Sequence, residues 1–179
     1  MLNLINALKL LIPLLFFSFL VSFSLSPKTK QSVSTTKQIQ NCDSVPELNQ
    51  HLISFVDSNM KKRVGSGQCW DLAEHALNKN NAKWNGLYKF GTEVNYQTDC
   101  IYPGDIMQFE GVLVKYVRDG GKWYEEMKHH TAFIYKVNGT GEFVLAHQNF
   151  GSFGKKVGLT TLDMQHVKKG RIKIFRPVK

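Results

Sequence analysis

One cysteine of this chain stands where a protein can activate a thiol. Cys69 follows a glycine-containing loop, residues 61–68, and precedes a segment in which apolar residues recur with helical spacing. At a helix N-terminus, unpaired backbone N–H groups and the helix dipole favour negative charge. We therefore expect the pKa of the Cys69 thiol to be lowered and its thiolate fraction to be larger. A buried structural cysteine, or one half of a disulfide, is the competing interpretation.

A nucleophilic thiol needs a base, which usually comes from a remote part of the chain. His129 and His130 stand together at the start of a predicted strand. Because neighbouring strand residues point to opposite faces, only one of the two can face Cys69. His130 shares its face with Ala132 and Ile134, whose small and aliphatic side chains suit packing against a helix. We therefore predict that His130 is the base and that His129 points outward or lies in the loop.

A third polar group is expected at the end of the next strand, where His147, Gln148 and Asn149 follow one another. His147 and Asn149 share one face, with Gln148 on the other. A polar side chain on that face could orient the imidazole of His130 and set its tautomer. An ordinary polar strand end is the alternative.

Helical spacing gives way to strand spacing along the domain, which predicts the elements that position these residues. Apolar residues fall on one helical face after Ser44 and again between Cys69 and Asn80. From residue 103 onward, apolar and polar residues alternate, and residues 119–121 (Asp-Gly-Gly) predict a hairpin turn. Helices followed by antiparallel strands indicate an α+β fold, with N-terminal helices packed on an antiparallel sheet.

The N-terminus carries the pattern of an export signal. Lys9 precedes an apolar run at residues 10–25, which indicates a signal peptide over residues 1–26 or an uncleaved membrane anchor. Residues 27–41 are polar without an apolar period, so we predict a flexible linker there. The folded domain is then expected over residues 42–179. It would be secreted or periplasmic, or held at a membrane by residues 10–25.

The formal net charge of +9 favours anionic partners such as anionic lipid or cell-wall polymers. The lysines and arginines form only short groups, at residues 61–63, 155–156 and 168–169, and the sequence contains no nucleic-acid-binding motif. Nucleic acid is therefore not expected as a partner. A soluble basic surface without a specific partner is the simpler interpretation.

Three cysteines leave one thiol unpaired in an oxidising compartment. If Cys69 is the nucleophile, Cys42 and Cys100 remain to form a disulfide, which requires their Cα atoms to lie within about 7 Å. A disulfide from Cys69 to either of them would exclude catalysis.

Four motifs occur in the order found in CHAP domains and NlpC-type enzymes, two groups of papain-like cysteine hydrolases. They lie at residues 67–70 (Gly-Gln-Cys-Trp), 103–106 (Pro-Gly-Asp-Ile), 130–134 (His-Thr-Ala-Phe-Ile) and 147–149 (His-Gln-Asn). The third polar residue is often Glu in CHAP domains and His in NlpC-type enzymes, and His147 matches it here. Residues 67–77 and 146–151 also resemble the cysteine-proteinase-fold domain at the C-terminus of some fungal actin-patch proteins.

The resemblance implies a papain-like fold and a cysteine amidase or peptidase that requires no metal or cofactor. His130 would take the thiol proton, Cys69 would attack an amide carbonyl, and His147 would orient His130. The backbone N–H of Cys69, with Gln68, would stabilise the oxyanion, and Asn149 would orient the site. Peptidoglycan or another peptide-bearing polymer is the expected substrate. The alternatives are an inactive papain-fold binding module and a structural exported protein in which Cys69 is paired.

Overall fold

The computed structural model describes residue 42, residues 44–118 and residues 120–179. The predicted signal or anchor segment and the predicted linker lie outside these residues. Within the part that is described, no helix is long and apolar enough to cross a membrane.

Two α-helices precede the sheet in the described residues, α1 at Glu47–Ser58 and α2 at Cys69–Lys79. In both, apolar residues recur at intervals of three and four, so each helix buries one face. The buried apolar residues are Leu48, Leu52 and Val56 in α1 and Leu72, Ala73, Ala76 and Leu77 in α2.

Six strands of the described residues form one antiparallel sheet. They are β1 (Thr92–Val94), β2 (Ile106–Arg118), β3 (Gly121–Gly139), β4 (Glu142–His147), β5 (Gly158–Asp163) and β6 (Val167–Arg176). Their order across the sheet is β1-β6-β2-β3-β4-β5. Two helices packed against this sheet confirm the predicted α+β architecture.

The sheet buries apolar residues on both of its faces. The face packed against α1 and α2, here called the helix-side core, contributes the strand residues Ile106, Phe133, Ala146 and Phe175. The opposite face, here called the sheet core, includes the strand residues Met107, Phe109, Ala132, Ile134 and Leu145. Neither α-helix contributes to the sheet core, which residues outside the strands help to cover, among them Ile101, Tyr96, Phe150 and Met164.

The prediction that the β3 face of His130, Ala132 and Ile134 packs against the helices is wrong. Ala132 and Ile134 belong to the sheet core, whereas Phe133 between them packs against the helices. Strand alternation holds as predicted, but both faces are buried, so apolar character did not distinguish the two. His130 lies on the sheet-core face, with its ring 6.0 Å from the ring of Phe109.

A buried carboxylate holds the turn that begins β2. Asp105 is fully buried and accepts hydrogen bonds from Asn49 Nδ2 (2.8 Å) and Arg176 Nη2 (2.8 Å). Gly104 has a φ of 89°, and the backbone of Asn49 fills the space that a side chain would need there. These contacts tie α1 and β6 to the start of β2. The Pro-Gly-Asp motif thus stabilises the frame on which β3 is placed.

The predicted disulfide between Cys42 and Cys100 is confirmed, with Cα atoms 5.7 Å apart. It joins the chain before α1 to the loop before β2. Cys69 is left as a free thiol, so the interpretation in which Cys69 is paired does not apply to this structure.

Candidate active site

Cys69 is the first residue of α2, as the sequence predicted. Asp71 in the first turn accepts hydrogen bonds from Gln68 N (3.1 Å) and from Ser66 Oγ (2.6 Å). Gly67 has a φ of 90°, a conformation that favours glycine. These interactions turn the chain sharply into the helix and place the thiol at its N-terminus.

Gln148 fixes the loop before Cys69, a role that the sequence analysis missed. Its amide is fully buried, donates to Val64 O (2.9 Å) and Gln68 O (2.7 Å), and accepts from Val64 N (3.1 Å). A buried side-chain amide that satisfies three backbone groups fixes the loop at residues 64–68 relative to the end of β4. The end of β4 therefore sets the position of the nucleophile loop. The only signal in the sequence was a polar residue between His147 and Asn149.

Burial raises the pKa of the Cys69 thiol, so the predicted lowering is wrong. Desolvation is the largest effect, and it outweighs hydrogen bonds from the backbone N–H groups of Thr131, Trp70 and Cys69 itself, which act in the opposite direction. The helix N-terminus does stabilise negative charge here, but the half-buried sulfur loses more in hydration. The resting thiol is consequently protonated at neutral pH.

The sulfur lies at the point where β3 and β4 separate. Ile134 N donates to Asp105 O (2.8 Å), so the backbone groups of Ile134 point toward β2. Because these groups alternate in direction along a strand, those of Thr131 point toward β4. The register of β3 with β4 begins at Phe133, opposite Ala146, so no β4 residue pairs with Thr131. The backbone N–H of Thr131 favours the thiolate of Cys69, so the sulfur lies beside this strand position.

His130 and His147 form a buried hydrogen-bonded pair. Nε2 of His130 lies 2.7 Å from Nδ1 of His147, and Nε2 of His147 lies 2.9 Å from Oγ1 of Thr160. Burial lowers the pKa of His130 to about 4, helped by charge on His129, and lowers the pKa of His147 to about 3, helped by charge on His130. Both rings are therefore neutral at pH 7. The structure brings these two predicted residues together.

Two neutral imidazoles in series with a hydroxyl allow only two proton arrangements. In one of them His130 Nε2–H donates to His147 Nδ1, and His147 Nε2–H donates to Thr160. This arrangement leaves Nδ1 of His130 as a free acceptor, as a base for the thiol requires. Among the described residues, no hydrogen bond occupies Nδ1 of His130, and none joins Cys69 directly to either neighbouring histidine.

His129 lies on the opposite face of β3, in a different environment. Its Nδ1 is 2.9 Å from Oε2 of Glu110, and its ring packs edge-on against Tyr88 at 4.1 Å. Its side chain is 42% exposed. Gln108 links this pair to Thr131, since its amide nitrogen donates to Glu110 (3.0 Å) and its oxygen accepts from Thr131 (2.7 Å). His129 thus lies exposed on the helix side, in contact with a carboxylate.

Gln68 and Asn149 are joined to each other rather than to His130. Asn149 Nδ2 donates to Gln68 Oε1 at 2.8 Å, and Asn149 has a φ of 58°, so the chain turns away from β4 there. Gln68 stands directly before Cys69, where its side chain can border an oxyanion site. Asn149 therefore positions Gln68 and does not orient the imidazole. Thr160 takes the outer position of the histidine chain, and no pattern in the sequence singled it out.

The described residues contain no group of three or more His, Cys, Asp or Glu side chains arranged to hold a metal ion. What they do contain is a thiol, a neutral imidazole with an open nitrogen, and backbone donors around the sulfur. This set can carry nucleophilic acyl transfer.

A family model described as the AIM3/BBC1 cysteine proteinase-fold domain matches residues 32–179. The chain belongs to this family. The resemblance to a cysteine-proteinase-fold domain is therefore confirmed. The family match begins ten residues before the predicted start of the domain at residue 42.

Sequence relatives of the AIM3/BBC1 domain include a much longer protein. Altered inheritance of mitochondria protein 3 from Debaryomyces hansenii is 26% identical over 147 residues, which cover 72% of this chain and 16% of that protein. This chain thus spans about a sixth of the length of the curated relative that it matches.

Two solved structures are similar to this cysteine-proteinase-fold chain. The crystal structure of Ly7917 matches with a TM-score of 0.44 and 13% identity, over 71% of this chain and 62% of that chain. The crystal structure of Ly7917 with the hydrolyzing product of MDP matches with a TM-score of 0.47 and 13% identity, over 72% of this chain and 62% of that chain.

Proposed function

We propose that this domain is a papain-like cysteine amidase or peptidase of the CHAP and NlpC type. One observation carries the proposal: His130, bonded to His147 at 2.7 Å, directly precedes Thr131, whose backbone N–H favours the thiolate of the free Cys69. Membership in a cysteine proteinase-fold family supports the same conclusion. Peptidoglycan or another peptide-bearing polymer is the preferred substrate.

In the proposed reaction, Nδ1 of His130 takes the thiol proton as Cys69 Sγ attacks the amide carbonyl. The raised thiol pKa and the lowered imidazole pKa disfavour a resting ion pair, so proton transfer accompanies attack. Backbone N–H groups at the start of α2 stabilise the oxyanion, with Gln68 beside them. His130 then protonates the leaving amine, and water releases the acyl group from the sulfur. His147 keeps His130 in the productive tautomer.

The proposed location is outside the cytoplasm, by secretion or by anchoring through residues 10–25. The Cys42–Cys100 disulfide supports this location, because disulfides persist mainly in oxidising compartments. Alkylation of Cys42 and Cys100 in intact cells, before and after reduction, would test whether the bond forms in place.

The decisive experiment looks for a covalent acyl-enzyme. Wild-type protein incubated with peptidoglycan fragments and a panel of peptide amides should gain the mass of an acyl group on Cys69, seen by intact-protein and peptide mass spectrometry. Cys69→Ala should gain none and release no product. Equal behaviour of the two proteins on every substrate, together with a thiol inert to iodoacetamide, would rule out the enzyme.

An inactive binding module is the second candidate, and the resting protonation state favours it. A protonated thiol and two neutral imidazoles are not an activated pair. If this candidate is correct, a peptide ligand should bind wild-type and Cys69→Ala protein with equal affinity and remain uncleaved. Isothermal titration calorimetry with product analysis separates the two candidates.

A further inference from the structure

Two short basic groups that are far apart in the sequence meet beside the nucleophile loop. Lys61 N donates to Val157 O, and Val157 N donates to Lys62 O, both at 2.9 Å. This pairing joins residues 60–62 to residues 155–157. The result is one basic patch, defined here as Lys61, Lys62, Arg63, Lys155 and Lys156, all of them exposed.

The basic patch reaches the loop that carries Cys69. Gly67 is buried because the side chains of Arg63 and Lys155 lie over it, and a Cβ at Gly67 would stand 2.7 Å from Lys155 Cβ and 3.1 Å from Arg63 Cδ. Gly67 is two residues before Cys69. The patch therefore borders the candidate active site rather than a remote surface.

The charge of the patch is not neutralised within the described part of the chain. No carboxylate there lies within 4.0 Å of any of its five cationic groups. The acidic residue nearest in sequence, Asp57, accepts a hydrogen bond from Tyr135 Oη (2.8 Å). Asp71, beyond the nucleophile loop, is held by Ser66 and by the backbone of Gln68. Five cationic side chains on one exposed surface attract anionic ligands.

A second surface of different character lies on the other side of Cys69. Leu87 and Tyr88 are exposed by 60% and 42%, and Trp70, which follows Cys69, holds them through a hydrogen bond from Nε1 to Leu87 O (2.8 Å) and a ring contact with Tyr88. Tyr88 packs on His129, which pairs with Glu110 of β2. This surface, here called the aromatic ledge (Trp70, Leu87 and Tyr88), therefore lies toward β2. The basic patch lies at the other end, directly before β5. In the strand order β2-β3-β4-β5, Cys69 lies between them.

We propose that the basic patch binds carboxylates of an acidic peptide substrate, while the aromatic ledge receives an apolar side chain on the other side of the scissile bond. The proposal rests on the proposed function for the identity of the bond at Cys69. A peptide is favoured over other polyanions because the ledge offers an apolar contact and the chemistry of the site is directed at an amide. Substrate specificity would then come from one acidic and one apolar anchor.

Binding to an inactive variant tests the patch without requiring turnover. The parent is the full chain carrying Cys69→Ala, and the probe is a fluorescein-labelled hexapeptide with a leucine followed by two glutamates. In this background, the pair Arg63→Gln and Lys155→Gln should weaken binding about tenfold, since each substitution removes one exposed charge contact with the peptide. The matched pair Lys168→Gln and Lys169→Gln removes the same charge from β6 and should change affinity less than twofold. Melting temperatures of both double variants control for folding.

Three further probes test whether binding depends on the acidic residues, on the leucine and on the peptide nature of the ligand. The glutamine analogue of the peptide should bind about tenfold more weakly to the parent, and the two patch substitutions should not weaken it further. A peptide with glycine in place of leucine should bind more weakly to both the parent and the patch variant. An oligothymidylate of equal charge should bind more weakly than the acidic peptide. Tighter oligothymidylate binding, or equal losses from the two double variants, would overturn the proposal.

Turnover by the wild type separates this proposal from the proposed function. Charge-dependent peptide binding without any hydrolysis would support the proposed role of the basic patch and contradict the proposed enzymatic activity. Hydrolysis at equal kcat/KM for acidic and neutral peptides, unaffected by the patch substitutions, would support the proposed enzymatic activity and contradict the proposed role of the basic patch.

Discussion

The adjacent histidines of β3 have opposite environments. His129 lies on the helix side, 42% exposed, paired with the carboxylate of Glu110 and packed on Tyr88. His130 lies on the sheet-core side, buried and bonded to a second neutral imidazole. Burial disfavours the protonated, charged form of the His130 ring and lowers its pKa. One step along a strand therefore separates an exposed histidine–carboxylate contact from a buried, hydrogen-bonded pair of imidazoles.

The largest expected difference between the two is in turnover. His130→Ala should lower kcat/KM by about a thousandfold or more, because it removes the base. His129→Ala should lower it less than tenfold, because its ring lies on the other face. Steady-state assays on the same peptide amide, with far-UV circular dichroism as the folding control, measure both. A larger loss for His129→Ala would assign the base to the His129–Glu110 pair.

The dependence of stability on pH should separate the buried pair, His130 and His147, from His129. The folded pKa values of His130 and His147, about 4 and about 3, lie below the unfolded value near 6.5. The unfolded state therefore binds more protons between pH 6.5 and 4, and the free energy of unfolding should fall as pH drops through that window. A single buried ring would account for about 3 kcal/mol of this loss by pH 4.

Urea unfolding at pH 7, 6 and 5 measures that slope. His147→Gln should flatten it, whereas His129→Gln should leave it nearly unchanged. Asp71 and Glu110, whose pKa values are lowered, lose their stabilising effect near and below pH 4.5, so they affect the three measurements least. An identical slope in both variants would show that the buried pair does not control the pH response.

Replacing the orienting ring should have a smaller effect than removing the base. His147→Ala should lower kcat about 10- to 100-fold, since an orienting group contributes less than the nucleophile or the base. His147→Gln, which can still accept from His130 Nε2, should recover part of the loss. The KM values should change little in either variant, and recovery by glutamine distinguishes orientation from mere loss of packing.

Thr160 should have the smallest effect, because it acts through His147. Thr160→Val should lower kcat about three- to tenfold, while Thr160→Ser, which keeps the hydroxyl, should remain near the wild type. The ¹⁵N chemical shifts of the histidine rings report the tautomers directly, and they should change in Thr160→Val only. Unchanged shifts in the valine variant would remove Thr160 from the proton arrangement.

Local patterns predicted both α-helices and the strands β2, β3, β4 and β6, but gave no indication of β1 or β5. Cys69 at a helix start, the α+β order and the paired Cys42 and Cys100 followed from spacing and from residue types alone. These features depend on neighbours in the chain or on the number of available partners. They are predictable because helix and strand periods act within a few residues.

Features of the site that depend on residues far away in the sequence could not be predicted. The alternation of β3 was clear, but a sheet buried on both faces gives no local sign of which face meets the helices. The expected lowering of the Cys69 pKa also failed, because desolvation depends on the atoms around the sulfur and not on its place in the helix. Gln148 and Thr160 acquire their roles only when β4 and β5 stand beside the nucleophile loop.

Residue types and their spacing establish which groups are available: a thiol at the start of α2, two adjacent histidines, a polar end of β4 and several short basic groups. Tertiary structure alone decided how they are used. Packing placed His130 against His147, left His129 in water with Glu110, and joined residues 61–63 to residues 155–156 beside Gly67. The physical reason is that burial, charge pairing and proton affinity depend on what surrounds a side chain in space, and those surroundings come from distant parts of the chain.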